Sequence, residues 1–189
     1  MWELGKVEQD ESRDIEKRWR RTARSRLKFE LAGLALASKA GMSPEEYAGF
    51  LWSRGASKWL GEAAPSAARY ILKEAEAFRA LCPEVEFELG PLAEDAAYLT
   101  FTRGCLGGWG KERWGMASSL GLGREDVCRY CREAFRVWAA EVGLEAGTEP
   151  QPDGKCVLRA GLPNDDKSRI AAPPRRPNID IGTSKEGMS

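Results

Sequence analysis

A chain of 189 residues with 42% hydrophobic content is long enough for one domain with a real core. Its 29 basic and 29 acidic residues cancel, so no overall field draws it to nucleic acid, an anionic membrane or an acidic substrate. It has no histidine, which removes the Ser-His and Cys-His nucleophile pairs and every zinc pattern that mixes Cys with His. A base must then be Asp, Glu, Lys, Tyr or a thiolate, and a metal must be held by thiolate and carboxylate.

The first residues, MWELGKVEQDESRD, are charged where a secretory signal needs an apolar core, and the longest apolar run, LAGLALA, is far short of a membrane span. The expected location is the cytoplasm, with no membrane partner. From about Ser12 to Ala40 the chain has no Pro, only Gly33, and apolar residues at Trp19, Leu27, Leu31, Leu34 and Leu36, which predicts a long helix. It breaks at Gly41. Ser43 as N-cap, Pro44 at the first helical position and Glu46 three residues after the cap form a capping box. The second helix starting there carries Tyr47, Phe50, Leu51 and Trp59 and ends near Gly61. A third, from about Pro65 to Leu81, has Ala68, Ile71, Leu72, Ala75 and Phe78 at helical spacing.

Cys82 and Pro83 end that helix and the period changes to two. In VEFEL, Val85, Phe87 and Leu89 alternate with Glu84, Glu86 and Glu88, and AAYLTFT, residues 96–102, is rich in β-formers, so an antiparallel pair is expected. CLGGWGKERWG reads as a Gly-rich turn leading into a short helix, and a further helix runs from Arg124 to about Val142. KCVLRAG, residues 155–161, reads as a third strand. The fold expected is α+β: a mostly helical N-terminal half on a small antiparallel sheet, two helices falling between its second and third strands and the cysteine-bearing one preceding the last strand. A single domain covers residues 1–161. Residues 162–189 have four prolines and no aromatics, and read as a disordered tail.

Five cysteines, an odd number in a chain without a signal, argue for reduced thiols or metal ligands rather than a disulfide framework. Four of them, Cys105, Cys128, Cys131 and Cys156, follow the first strand pair or border the last strand. If the sheet brings them together, four thiolates would suit zinc or an iron–sulfur cluster. The plainer reading is packing: Val127, Cys131, Ala134 or Phe135, Trp138 and Val142 recur at three and four, which puts Cys131 on the buried stripe of its helix. A thioredoxin-type pair is disfavoured because Cys128 lies in the second turn after Gly123, beyond the helix N-terminus that lowers a thiol pKa.

The order strand, RGCLGGW, short helix, LGLGREDVCRYCREAFRVWA, spacer, GKCVLRA resembles the L-2-amino-thiazoline-4-carboxylic acid hydrolase family over roughly residues 45–160, chiefly at Cys105, Gly121, Cys128 and Cys156. The resemblance implies ring-opening hydrolysis of a small molecule at a C=N carbon, with Cys105 and Cys128 lining the site. Such chemistry needs a base and a donor for the nitrogen. Glu94, Asp95 and Glu133 are the candidate carboxylates, and Cys105 the candidate nucleophile. Gly107 and Gly108 would let backbone amides approach a ligand, with Trp109 as a platform. A noncatalytic domain holding metal on Cys105, Cys128, Cys131 and Cys156 is the alternative.

A second alternative is a helix-turn-helix regulator. KRWRRTARSRLK, residues 17–28, is the densest basic run, and LASKAGMSPEEYAGFLW has the required helix, glycine turn and helix. Against nucleic acid as a partner, the second helix would present Glu45 and Glu46 first, and carboxylates repel phosphate.

Overall fold

The computed structural model describes residues 3–61, 64–103 and 114–163, with side chains from Asp14 onward. The elements are α1 (Glu3–Lys39), α2 (Pro44–Trp52), α3 (Ala56–Leu60), α4 (Ala67–Leu81), β1 (Phe87–Leu92), β2 (Ala96–Phe101), α5 (Trp114–Ser119), α6 (Arg124–Ala140), β3 (Glu145–Pro150) and β4 (Cys156–Gly161). The protein is α+β, as its sequence predicts, with helices concentrated in the N-terminal half and a four-stranded antiparallel sheet in the C-terminal half.

Helix α1 buries one stripe, Ala23, Leu27, Leu31, Leu34 and Ala35, whose spacing of three and four keeps it on one face. The basic run lies on the other side. Arg18 pairs with Asp14 and Arg20 with Glu16, while Arg24 reaches Glu84 just beyond α4 at 2.7 Å. Trp19 Nε1 donates to the Ala80 carbonyl at 2.8 Å, fastening α1 along the end of α4. The helix stops where Gly41 takes φ +83° and Met42 N–H returns to the Ala37 carbonyl. Leu36, expected on the apolar side, is 69% exposed.

The capping box at Ser43 is present in both directions: Glu46 N–H donates to Ser43 Oγ and Ser43 N–H to Glu46 Oε2. The expected second helix divides, however. Helix α2 ends at Trp52, Gly55 adopts φ +111°, and α3 is a separate five-residue helix carrying Trp59. Helix α2 packs on α6, and Glu45 and Arg129 join them by a two-pronged ion pair at 2.6 and 2.8 Å. Phe50 points away, 71% exposed.

The sheet order is β1-β2-β4-β3. Two hairpins thus sit side by side, with β2 and β4 central and Leu99 opposite Leu158. One face is buried by Ala97, Leu99 and Phe101 of β2 and by Cys156, Leu158 and Ala160 of β4. Tyr98 and Arg159 lie on the other, the guanidinium 5.2 Å from the ring centre. Helix α4 covers the buried face, Phe78 meeting Phe101 edge-on at 4.9 Å, and Ile71 is fully buried, a gain of about 1.5–3 kcal/mol for such a side chain.

Two strand expectations change. The first strand runs Phe87–Leu92 rather than 85–89, with a register irregularity between Leu89 and Leu92, and Leu89 is 40% exposed. A strand not predicted, β3, forms from EAGTEP. Its own residues are poor β-formers, but it pairs along all of β4 and lies under α6. Helices α5 and α6 do fall between the second and third strands in chain order. Of the expected tail, residues 164–189 lie outside the described residues. No described helix is long and apolar enough to cross a membrane.

Candidate ligand cavity

The stripe of α1, the inner face of α4 and the buried stripe of α6 do not close on one another. Between them is a cavity of about 220 Å³. Leu27, Leu31 and Leu34 of α1 form one wall; Phe78 of α4 and Val127, Phe135 and Trp138 of α6 form the others; Trp52 and Trp59, from α2 and α3, close one end. The lining residues Arg26 and Leu81 are exposed, so the cavity reaches the surface beside them. The tryptophans are braced by one another: Trp138 meets Trp52 edge-on at 5.6 Å and lies 5.7 Å from Trp59, which in turn meets Tyr70 edge-on at 6.1 Å.

Four groups with chemistry face this space: Glu30, Glu74, Tyr130 and Cys131, with Cys82 also in the wall. Tyr130 joins three helices. Its hydroxyl accepts from Trp52 Nε1 at 2.8 Å and donates to Glu30 Oε1 at 3.1 Å. Burial raises the Glu30 carboxyl above its usual range, opposed by the Arg26 charge and by the Tyr130 hydrogen bond. Burial is also the main cause that raises the Tyr130 phenol, reinforced by the Glu30 charge.

Glu74 is the more isolated of the carboxyls. It sits on the inner face of α4 and is only 7% exposed. Burial pushes its pKa up to about 7, and the one group opposing this is the Tyr70 hydroxyl, one turn earlier. That hydroxyl is itself buried and has no partner in hydrogen-bonding geometry among the described residues. A carboxyl in this setting is half ionised near neutrality and lies against an apolar cavity, the environment in which carboxyls exchange protons with ligands or bind cations.

The sequence-selected residues do not gather here, with one exception. Cys131 is buried in the cavity wall, while Cys128 is half-buried on α6 and is not part of the lining. Cys156 is buried at the start of β4, opposite Phe101 and Pro150. Among the described residues no three Cys, Asp or Glu side chains form a group able to hold a metal ion, so Cys128, Cys131 and Cys156 do not make a ligand set with one another. The fourth thiol, Cys105, lies outside the described residues with Gly107, Gly108 and Trp109.

Glu94 and Asp95 are exposed in the β1–β2 turn, where their carbonyls accept from Ala67 N–H and Leu162 N–H, each at 2.9 Å. These bonds hold the hairpin to α4 and to the end of β4. Glu133 is engaged by Arg136 at 2.6 and 2.5 Å. The other tryptophan of the Gly-rich segment, Trp114, lies under the guanidinium of Arg124 at 5.8 Å, so the cation it meets is the chain's own.

Glu30, Glu74, Tyr130 and Cys82 were not among the sequence-selected residues. A signal for two of them exists: Glu74 falls four after Tyr70 and four before Phe78, and Glu30 falls between Leu27 and Leu34, so each is a carboxyl on an apolar helical stripe. Comparison of the chain with protein-family models, with curated proteins and with solved structures gives no match. The fold and the cavity define an α+β protein with an internal, largely apolar, carboxyl-bearing cavity.

Proposed function

We propose that the protein binds a small molecule with an apolar body in the cavity between α1, α4 and α6. The observation that carries this reading is the cavity itself: about 220 Å³ walled by leucines and aromatic rings, with a few polar groups at defined points. Well-packed interiors leave few voids larger than a water molecule, and an apolar cavity of about 150 Å³ is enough to take up benzene. The test is titration with small aromatic molecules, followed by the emission of Trp52, Trp59 and Trp138. Ala134→Phe would fill the space from α6. Saturable quenching abolished in a folded Ala134→Phe protein is the expected result, and equal response in both proteins would refute it.

A second reading makes the same cavity catalytic, and the near-neutral Glu74 favours it. This is the hydrolysis of a cyclic C=N bond that the resemblance implies. Ionised Glu74 would take a proton from the attacking water and give it to the ring nitrogen as the tetrahedral adduct forms. It would then carry the adduct's hydroxyl proton to the leaving ring atom as the C=O forms and the bond from that carbon to the ring atom breaks. Cys131 lies in the same wall, whereas Cys128, which the resemblance assigns to the site, is not part of this lining, and Cys105 lies outside the described residues. Ring-opening assays on wild type, Glu74→Gln, Cys105→Ser and Cys128→Ser separate the two readings. Turnover lost in Glu74→Gln supports hydrolysis, and binding with no turnover in the wild type leaves the binding function alone.

A further inference from the structure

The cavity is acidic as well as apolar, and its two carboxyls are not equivalent. Glu30 accepts a hydrogen bond from Tyr130 and feels the Arg26 charge. Glu74 has neither. Among the described residues no cation pairs with it, and the group that opposes the effect of its burial is the neutral Tyr70 hydroxyl. The titratable groups around it are Tyr70 on its own helix, Cys82 at the end of that helix, Arg26 and Glu30 from α1, and Tyr130 and Cys131 from α6. Only one of these is a base that stays charged, and Arg26 sits at the exposed mouth.

A buried carboxylate without a counter-ion is costly, and a ligand that supplies one recovers that cost. An ammonium group also suits the rest of the wall, because tryptophan and tyrosine faces attract organic cations. Since about 150 Å³ holds a benzene ring, the space of about 220 Å³ admits a ring with a short side chain. A carboxylate or phosphate ligand, by contrast, would meet two acids in the cavity wall.

We infer that the cavity takes an organic amine whose ring-bearing apolar body lies between α1, α4 and α6 and whose ammonium nitrogen pairs with the Glu74 carboxylate. This rests on the cavity being the ligand site. Binding is linked to the ionisation of Glu74: an aliphatic amine stays protonated throughout the neutral range, so the pair forms only where Glu74 has lost its proton.

The experiment uses three probes of matched shape, phenethylamine, phenethyl alcohol and hydrocinnamate, titrated calorimetrically into wild type and Glu74→Gln. Near pH 8 the amine should bind at least about tenfold more tightly than the alcohol, the equivalent of one buried charge-assisted contact. With Glu74 titrating about 7, its affinity should fall up to about thirtyfold by pH 5.5 while that of the alcohol stays level. In Glu74→Gln the amine should lose its advantage. The wild-type pH series stands without the variant. Alcohol bound as tightly as amine near pH 8, an unchanged amine affinity in Glu74→Gln, or hydrocinnamate as the best ligand would overturn the amine inference and leave the cavity reading intact. If none of the three binds, the cavity reading falls and the inference with it.

Discussion

A carboxyl seated on the inner face of α4 ties the stability of the protein to pH. Glu74 titrates about 7 in the fold against an ordinary value of 4.5, so between those values the folded chain holds a proton that the unfolded chain has released. Its contribution is fully present below the unfolded value and is lost as pH rises through about 7. Glu74→Gln removes this term. In urea unfolding it should gain on wild type between pH 5 and pH 8 by on the order of 3 kcal/mol. Glu30 titrates with the same sign but is present in both proteins, so the difference isolates Glu74. At Tyr130, the Phe variant removes a donor to Glu30 and an acceptor for Trp52. A loss on the order of 1–3 kcal/mol is expected, with a shift of tryptophan emission as the indole N–H is released.

At the scale of elements, α3 is too short to hold itself, since an isolated helix of five residues lies far below the length that is stable in water. It is held by the Glu141 carboxylate beyond α6, which accepts from Ala56 N–H at 2.8 Å and Ser57 Oγ at 2.9 Å. Glu141→Ala should cost about 1 kcal/mol, as a lost N-terminal cap does. Hydrogen exchange at Ala56 and Ser57 should rise well before the rest of the chain, because the damage is local. In β1, a Cβ on Gly90 would come within 2.2 to 2.6 Å of the Tyr98 ring. That ring also lies under Arg159, so it has little room to yield. Gly90→Ala should destabilise the protein by about 1–3 kcal/mol, read as a lower thermal midpoint.

These elements also show which features are readable locally. Ser43, Pro44 and Glu46 identify the start of α2 because a capping box is made by residues three apart. Glu141 as the cap of α3 is invisible from the sequence, since donor and acceptor are 85 residues apart. Strand β3 is hidden for the same reason. In EAGTEP only Thr148 favours a strand, and the pairing with β4 supplies the rest. On α4 Leu72, expected on the apolar side, is 42% exposed, and Glu74 is the buried residue, because the elements packed on the helix and not its own pattern decide which side faces inward.

For the whole molecule the cavity is a junction of distant segments. Glu30 and Tyr130 are 100 residues apart, and Trp52 and Tyr130 are 78 apart, so a ligand that bridges these walls binds the folded chain alone. Phenethylamine at about a hundred times its dissociation constant should therefore add about 2.7 kcal/mol of stability and raise the thermal midpoint by roughly 5–10 °C near pH 8. The same concentration should do much less in Glu74→Gln. The α+β class, the break at Gly41, the cap of α2, the strands β2 and β4 and the buried stripe of α6 were determined by the sequence itself, because periodicity, caps and β-branching act over a few residues. Which carboxyl is buried, which of the described cysteines reach the cavity and where the tryptophans meet were decided only by the tertiary structure. Burial and pKa depend on neighbours that folding brings from 50 to 100 positions away, at angles that no local pattern specifies.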